Sequence, residues 1–164
     1  MTKQEILEQL KEILIKNNLT LSSAESCTGG LVSSYLTDIS GSSAFIFQNF
    51  VTYSNAAKMK FLNVKEQTLE KFGAVSPETA HEMSLGLFNY ADCTIATTGI
   101  LGPTGGSKEK PVGLCYISVG YKGKIKVIKY LSPKAITKDR YEIKKDIAKC
   151  AIEELLNFLK NEIN

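Results

Sequence analysis

Apolar residues recur along this chain in two spacings, which predict its helices and its strands. A spacing of three and four residues indicates an amphipathic helix over residues 3–17 and a longer one from Thr137 to about Glu162. Shorter helices are predicted where apolar periodicity follows a capping residue or a proline, or stops before a glycine. These shorter helices are Leu31–Thr37, Asn55–Leu62, Lys65–Phe72 and Pro77–Tyr90.

Runs rich in apolar, β-branched and aromatic residues predict five strands. They are Leu19–Ala24, Gln48–Tyr53, Ala91–Thr98, Val112–Val119 and Lys124–Leu131. The segment Gly120–Gly123 joins the last two strands and is typical of a hairpin turn. Strands and helices therefore alternate, with one antiparallel pair. This order predicts a single domain over residues 1–164, with the α/β class and a layered α/β/α sandwich around a mixed β-sheet.

Composition narrows the class of protein further. The length of 164 residues and the hydrophobic fraction of 43% are those of an ordinary globular domain. A net charge of +3 is too small to indicate binding to nucleic acid. No apolar run is long enough to span a bilayer, and the first residues lack the apolar core of a signal peptide. We therefore expect a soluble cytoplasmic protein with no membrane or nucleic-acid partner.

Metal binding is not expected from the residues present. The cysteines at positions 27, 93, 115 and 150 form no Cys-x-x-Cys pair, and His81 is the single histidine. A zinc site would need more ligands at closer spacing. We therefore predict reduced thiols and neither a metal nor a cofactor.

The stretch Ala24–Gly30, with the sequence Ala-Glu-Ser-Cys-Thr-Gly-Gly, is the first candidate for chemistry. It joins a predicted strand to a predicted helix, so its N–H groups are expected at a helix start, where negative charge is stabilised. The stretch is interpreted as a nucleophile in an oxyanion-stabilising loop, as an anion-binding loop, or as a plain N-cap made by Ser26 or Thr28. The N–H groups expected to converge are those of Cys27, Thr28, Gly29 and Gly30.

Two further loops follow predicted strands and are expected at the same sheet edge. The loop Tyr53–Lys58 offers a lysine as a base for Ser26, provided that its surroundings lower the lysine pKa. Otherwise Lys58 is an ordinary exposed helix residue. The glycine-rich loop Gly99–Lys110 either wraps an anion with its N–H groups or is a flexible connection.

Three other residues compete for roles. Cys27 is a rival nucleophile, since a helix start lowers a thiol pKa. His81 is a less suitable base than Lys58, because it is expected on a helix away from these loops. Arg140, near the start of the last helix, either binds a phosphate through two N–H groups or pairs with a neighbouring acid.

Several motifs occur in an order that resembles a known family. They are Ala24–Gly30, Gly41–Ser43, Val51–Asn55 with Ala57-Lys58, Gly73–Ser76, Thr98–Ile100, Gly102-Pro103, Gly105-Gly106 and Lys110–Gly113. Together they are similar to the C-terminal domain of the competence/damage-inducible protein CinA, which also occurs alone as nicotinamide mononucleotide deamidase. The resemblance extends from about Thr20 to the last helix.

This resemblance implies a nicotinamide-nucleotide amidase, a hydrolase of a linear carboxamide. Such an enzyme converts nicotinamide mononucleotide into nicotinate mononucleotide and ammonia in pyridine nucleotide recycling. Ser26 is then the nucleophile, Lys58 the base and Tyr53 a neighbour of this dyad. The residues implied for the phosphoribosyl half are Ser43, Asn49, Thr98, Gly99 and Arg140.

The resemblance also implies a homo-oligomer such as a dimer. The alternative function is a non-catalytic nucleotide-binding or regulatory module linked to competence or DNA damage. Two positions depart from the family pattern. Leu101 replaces an alanine and is expected to narrow the nucleotide pocket. Lys144 replaces a second arginine, which keeps the charge but loses a forked phosphate contact.

Overall fold

The fold is organised around a five-stranded mixed sheet in the computed structural model, which describes residues 1–164. Its strands are β1 (Leu21–Glu25), β2 (Ile46–Val51), β3 (Cys93–Gly99), β4 (Leu114–Tyr121) and β5 (Lys124–Leu131). Their order is β2-β1-β3-β4-β5. Strand β1 runs parallel to β2 and β3, whereas β4 is antiparallel to β3 and β5. The predicted mixed sheet is therefore confirmed.

Six α-helices cover the two faces of this sheet. They are α1 (Lys3–Lys16), α2 (Leu31–Leu36), α3 (Asn55–Leu62), α4 (Glu66–Phe72), α5 (Pro77–Leu87) and α6 (Arg140–Ile163). The larger apolar core joins one face of the sheet to α1, α2 and α6. A smaller core joins the other face to α3, α4 and α5. The single-domain α/β sandwich is thereby confirmed. None of these helices combines the length and the apolar character needed to cross a bilayer.

The apolar stripes of the first and last helices pack inside the chain. Ile6, Leu7, Leu10 and Leu14 of α1 are all at most 1% exposed. They belong to the same core as the apolar side chains of α6. Each such buried side chain stabilises the fold by about 1.5–3 kcal/mol relative to an exposed position. These stripes are consequently not available for contacts between subunits.

Most element ends differ from the prediction by a few residues for identifiable reasons. Strand β2 spans 46–51 rather than 48–53, because the chain leaves the sheet at Tyr53 to begin α3. Helix α5 ends at Leu87, and the residues to Tyr90 continue in tighter turns closed by i to i+3 hydrogen bonds. Helix α6 begins at Arg140 rather than Thr137, because Lys138 adopts a left-handed conformation with φ 55°.

The register of the sheet determines where the candidate loops meet. Glu25, the last residue of β1, lies opposite Val51 of β2 and Thr97 of β3. The carboxyl ends of the three parallel strands therefore share one edge. The loops that follow them begin side by side at this edge, which is where ligands bind in open α/β sheets.

Candidate active site

The loop after β1 and the first turn of α3 bring Ser26 and Lys58 into contact. Lys58 Nζ lies 3.1 Å from Ser26 Oγ. The Ser54 side chain accepts a hydrogen bond from Ala57 N and starts α3, which directs Lys58 toward the sheet. Lys58 is completely buried, while Ser26 remains 9% exposed. Lys58 is therefore not the exposed helix residue of the simpler interpretation.

The surroundings of Lys58 favour a neutral amine. Burial lowers the pKa of Lys58 from 10.5 to about 8, against a smaller opposing effect of Cys27. No carboxylate pairs with it, and its remaining partners are the carbonyls of Thr52 at 2.9 Å and Tyr53 at 3.0 Å. A neutral amine has two N–H groups for these carbonyls and a lone pair for the Ser26 hydroxyl. This geometry suits a general base acting on serine.

Glu25 starts helix α2 from the end of the preceding strand. Its buried carboxylate accepts hydrogen bonds from Gly30 N at 3.2 Å, Val32 N at 2.7 Å and Ser33 N at 3.0 Å, and from Ser33 Oγ at 2.9 Å. Negative charge at a helix start is favourable. The N-cap position is Gly30, and no side chain at that position caps the helix. The interpretation of Ser26 or Thr28 as the N-cap was therefore wrong.

The N–H groups of the Ser26 loop divide into used and free donors. Gly30 N–H donates to Glu25, and Gly29 N–H donates to Ser26 O at 3.1 Å. The N–H groups of Cys27 and Thr28 have no acceptor within the chain. The predicted oxyanion loop of four donors is thus reduced to these two. The α2 helix start itself serves Glu25 rather than a bound anion.

The side chain of Cys27 turns away from the dyad. Its Sγ lies 3.8 Å from the Sγ of Cys115 inside the larger core, and all four cysteines are free thiols. Burial raises the pKa of Cys115 well above its usual range. Leu101 is likewise 2% exposed and packs in this core. The expectation that Leu101 narrows a nucleotide pocket was therefore wrong, since its side chain fills the interior.

Tyr53 and Arg140 contact each other through their side chains. The Tyr53 ring is exposed, and its hydroxyl accepts a hydrogen bond from Arg140 Nη2 at 3.3 Å. Arg140 Nη1 donates to Gly102 O at 2.7 Å, which ties α6 to the glycine-rich loop. The neighbouring acids are occupied elsewhere, because Asp139 caps α6 and Glu142 pairs with a lysine. The alternative of an ion pair for Arg140 is therefore not formed.

A second cation lies one helical turn after Arg140. A Cβ atom added to Gly29 would be 3.8 Å from Lys144 Nζ, so this amine lies against the Ser26 loop. The four ion pairs of the chain involve other side chains. Arg140, in contact with Tyr53, and Lys144, against Gly29, therefore place two uncompensated positive charges along the loops that contain Tyr53 and Ser26.

Two predicted substrate-binding residues, Thr98 and Gly99, lie at the carboxyl end of β3 and stabilise the loop that follows it. Thr98 is buried and donates through Oγ1 to Ala74 O at 2.7 Å. A Cβ atom on Gly99 would come within 2.7 Å of Leu114 O, so the close approach of β4 requires glycine there. These contacts hold the loop after β3 against its neighbours.

Two other predicted residues do not join the group. Asn49 Oδ1 accepts the Ser23 N–H at 3.0 Å, where the pairing of β1 and β2 is irregular. Ser43 precedes β2 in a short 3₁₀ turn, so it lies at the amino ends of the parallel strands, opposite the carboxyl ends where Ser26 lies. Ile46, at the start of β2, pairs with Leu21 of β1. Leu21 precedes Ser26 by five residues, which is roughly 17 Å along a strand at about 3.3 Å per residue. Within one chain, Ser43 is therefore remote from the dyad.

The remaining candidates add no ligand to the site. His81 is exposed on α5 and makes no hydrogen bond with the dyad. No three His, Cys, Asp or Glu side chains lie close enough together to hold a metal ion. Sequence reasoning missed the role of Glu25 and of the Thr52 and Tyr53 carbonyls. A glutamate placed just before a glycine-rich helix start was the available indication for Glu25.

Comparison with known sequences identifies relatives over almost the whole chain. The sequence profile described as CinA C-terminal domain matches residues 3–159. A CinA-like protein of Chloroherpeton thalassium is 43% identical over 164 residues, covering 95% of this chain and 38% of that protein. A CinA-like protein of Fusobacterium nucleatum is 47% identical over 145 residues, covering 88% and 35%. The chain thus spans little more than a third of the length of these curated relatives.

Solved structures share the same architecture. The competence/damage inducible protein CihA from Agrobacterium tumefaciens has a TM-score of 0.88 and 40% identity, covering 94% of this chain and 95% of that one. The competence damage-inducible protein A (ComA) from Klebsiella pneumoniae has a TM-score of 0.91 and 29% identity, covering 99% of both chains. The similarity therefore includes every strand and helix that positions the candidate site.

Proposed function

The chain belongs to the CinA C-terminal domain family, and we propose that it is a nicotinamide-nucleotide amidase. In this proposal it hydrolyses the carboxamide of nicotinamide mononucleotide to nicotinate mononucleotide and ammonia. The observation that carries the proposal is a completely buried lysine amine at 3.1 Å from the hydroxyl of a serine that is 9% exposed. A buried lysine with a lowered pKa is one of the established ways to activate serine.

The first half of the reaction forms an acyl-enzyme. Neutral Lys58 takes the Ser26 proton while Ser26 Oγ bonds to the carboxamide carbon. The carbonyl electron pair moves onto oxygen, where the free N–H groups of Cys27 and Thr28 are available as donors. One such donor typically contributes about 3–4 kcal/mol to the transition state. Protonated Lys58 then transfers its proton to the leaving nitrogen, the C–N bond breaks and ammonia departs.

The second half regenerates the serine. The same amine, neutral again, takes a proton from water as the water oxygen attacks the ester carbon. The bond to Ser26 Oγ breaks, and Oγ recovers its proton from Lys58. The carbonyls of Thr52 and Tyr53 accept N–H bonds from the amine in both of its charge states. They keep Nζ in place throughout the cycle, because neither carbonyl changes its protonation state.

The positive charges of Arg140 and Lys144, at Tyr53 and Gly29, fit the phosphate of a mononucleotide. In the proposal, Arg140 and Lys144 bind the phosphate, and the Tyr53 ring contacts the ribose or the pyridine. A guanidinium binds phosphate through two N–H groups, whereas an ammonium acts as a single point charge. Thr98 and Gly99 support this side of the site through the backbone. These assignments rest on the positions of the residues at one sheet edge.

Ammonia release and chemical trapping test the proposal. Wild-type protein is expected to release ammonia from nicotinamide mononucleotide, and Ser26→Ala to lose at least about 10³-fold in kcat. Ser34→Ala, at an exposed position of α2, is the matched control and should remain active. Hydroxylamine added to the wild-type reaction should intercept the acyl-enzyme and yield the hydroxamate of the product. Full activity of Ser26→Ala would rule out this serine as nucleophile.

A second candidate function is a non-catalytic nucleotide-binding or regulatory module. The names of the structural relatives, which refer to competence and damage, favour this alternative. It predicts saturable binding of a nucleotide without release of ammonia. Calorimetric titration with nicotinamide mononucleotide, run beside the ammonia assay on the same preparation, distinguishes binding alone from binding with turnover.

A further inference from the structure

Two buried hydroxyl groups of this chain have no hydrogen-bond partner. They are Thr52 Oγ1 and Thr94 Oγ1, in residues that are 1% and 0% exposed. A buried hydroxyl without a partner lowers stability, and such groups are rare in folded proteins. Departures of this kind are expected at functional sites. Where such a hydroxyl lies beside reacting atoms, a role in function is therefore the first explanation for it.

Thr52 belongs to the immediate surroundings of the dyad. Its carbonyl oxygen accepts a hydrogen bond from Lys58 Nζ at 2.9 Å, and its N–H donates to Glu25 O at 2.9 Å. The second bond continues the parallel pairing of β1 and β2 by one residue, so Thr52 lies level with Ser26. Because side chains alternate along a strand, the Thr52 side chain lies on the same face as that of Phe50, which packs against the smaller core.

Lys58 approaches the sheet from this same face. Leu62, one helical turn after Lys58 in α3, is buried in the smaller core. The amine and the Thr52 hydroxyl therefore lie on one side of the sheet. In the resting arrangement Nζ already has three partners, which are Ser26 Oγ, Thr52 O and Tyr53 O. They match the three N–H groups of a protonated amine, so none remains for the Thr52 hydroxyl.

The proposed reaction changes this balance when the serine is acylated. As Lys58 takes the Ser26 proton, Ser26 Oγ uses an electron pair for its bond to the carboxamide carbon and becomes a weaker acceptor. The amine becomes an ammonium at the same moment, in a completely buried side chain. A buried charge is costly when its N–H groups lack good acceptors. An acceptor that is free in the resting enzyme and engaged in the transition state would accelerate the step.

We propose that Thr52 is a positioning residue, whose hydroxyl accepts an N–H group of Lys58 while Ser26 Oγ is bonded to the substrate carbon. The same contact serves the second half of the reaction, when Lys58 takes a proton from water and Oγ is still bonded to the acyl carbon. Thr52 Oγ1 is only a few bonds from Thr52 O, which already holds Nζ, so a small rotation completes the contact. The role in turnover rests on the proposed function, whereas the contact with the protonated amine does not.

Thr94 provides a matched control for removal of the Thr52 hydroxyl. It pairs with Ser22 of β1, four residues before Ser26, so it lies roughly 13 Å from the dyad along the strand. Valine has nearly the shape of threonine without the hydroxyl, so Thr52→Val and Thr94→Val should both be at least as stable as wild type in urea. Only Thr52→Val should lower kcat, about 10-fold or more with KM unchanged, and Thr52→Ser should recover most of the activity.

The pH profile of ammonia release separates this contact from a general disturbance of Lys58. Thr52→Val should lower the plateau of kcat/KM at high pH and leave the apparent pKa of the rise at its wild-type value. The reason is that Ser26 Oγ remains the third partner of the resting ammonium. Unchanged kcat in Thr52→Val, an apparent pKa that moves toward 10.5, or a loss of stability would each overturn the proposal.

Titration of Lys58 by NMR tests the contact without substrate. In Ser26→Ala the amine lacks its third acceptor, so adding Thr52→Val should lower the Lys58 pKa by about one unit, the weight of one hydrogen bond to a charged group. Adding Thr94→Val should leave it unchanged. Cys27, the titratable side chain whose charge acts on Lys58, is the same in all of these proteins. No lowering by Thr52→Val would overturn the contact. If wild type releases no ammonia, the proposed function fails, while the titration still decides whether Thr52 accepts from Lys58.

Discussion

Replacing Lys58 with methionine separates the chemistry of the buried amine from its effect on stability. With a pKa of about 8, roughly one Lys58 in ten is neutral at pH 7. With the ordinary value of 10.5, only about one in 3,000 would be neutral. Burial thus increases the fraction of usable base about 300-fold at pH 7. Because general bases contribute about 10²–10⁴-fold, Lys58→Met is expected to lower kcat/KM by that amount.

The same pKa shift predicts how stability depends on pH. The folded-state pKa of Lys58 lies below the unfolded-state value, so between about pH 8 and 10.5 only the unfolded chain keeps the proton. The contribution of Lys58 to stability therefore rises with pH through this window, by at most about 3.4 kcal/mol and by less where nearby water screens the charge. Methionine removes this cost at pH 7 but also two hydrogen bonds to carbonyls, each worth about 1 kcal/mol. We expect Lys58→Met to be about as stable as wild type at pH 7.

The assay combines rates and unfolding across pH. Ammonia release by wild type, measured from pH 6 to 10, should give a kcat/KM that rises with an apparent pKa near 8. Thermal unfolding of wild type and Lys58→Met at pH 7 and pH 10 isolates the contribution of Lys58, because the buried thiols with raised pKa values titrate in both proteins. Lys60→Met, at an exposed position of the same helix, is the control and should keep wild-type behaviour. Activity of Lys58→Met within about threefold of wild type would refute the role of the amine as base.

Three further substitutions test other parts of the structure. Glu25→Gln removes the negative charge that accepts four hydrogen bonds at the start of α2. Unfolding in urea should show that the free energy of unfolding falls by about 1–3 kcal/mol. In the ammonia assay, the decrease in kcat should be larger than the change in KM. A variant with reduced stability but unchanged kcat would show that Glu25 does not position the Ser26 loop. Lys144→Met should raise KM for nicotinamide mononucleotide about 3–10-fold above the wild-type value, with kcat unchanged. Lys144→Arg should lower KM below the wild-type value, because the forked guanidinium binds phosphate better than an ammonium does. Equal KM values in both variants would exclude Lys144 from the phosphate site. Gly86→Ala places a Cβ atom 2.1 Å from Leu62 O, so α3 and α5 must move apart. The free energy of unfolding should therefore fall by about 1–3 kcal/mol or more. A change below about 0.5 kcal/mol would contradict the close approach of these helices.

Local patterns were enough to predict the secondary structure. Helix α3 has the predicted bounds because Ser54 caps it, and α5 begins at Pro77 because a serine cap and a proline at the first position both favour a helix start. The hairpin between β4 and β5 formed as predicted, around Lys122 and Gly123 with positive φ angles. Each of these features depends on residues a few positions apart. The sequence alone therefore contains the information that specifies them.

The geometry of the candidate site depends on contacts between residues that are far apart in the sequence. The hypothesis of a lysine base could be stated from sequence, but complete burial of Lys58 depends on how α3 packs against the sheet. The prediction that the Leu101 side chain faces a nucleotide pocket was wrong for the same reason. The path of the loop after β3, and not the neighbouring residues in sequence, directs this side chain into the larger core.

The sequence by itself determined the order and type of the elements, the family resemblance and the loop that contains Ser26. Only the tertiary structure decided that Lys58 reaches Ser26, that Glu25 occupies the start of α2 and that Ser43 lies at the other sheet edge. The physical reason is that hydrogen bonds within a turn depend on nearby residues. Burial, and with it the pKa of a buried amine, depends on surfaces brought together from distant parts of the chain.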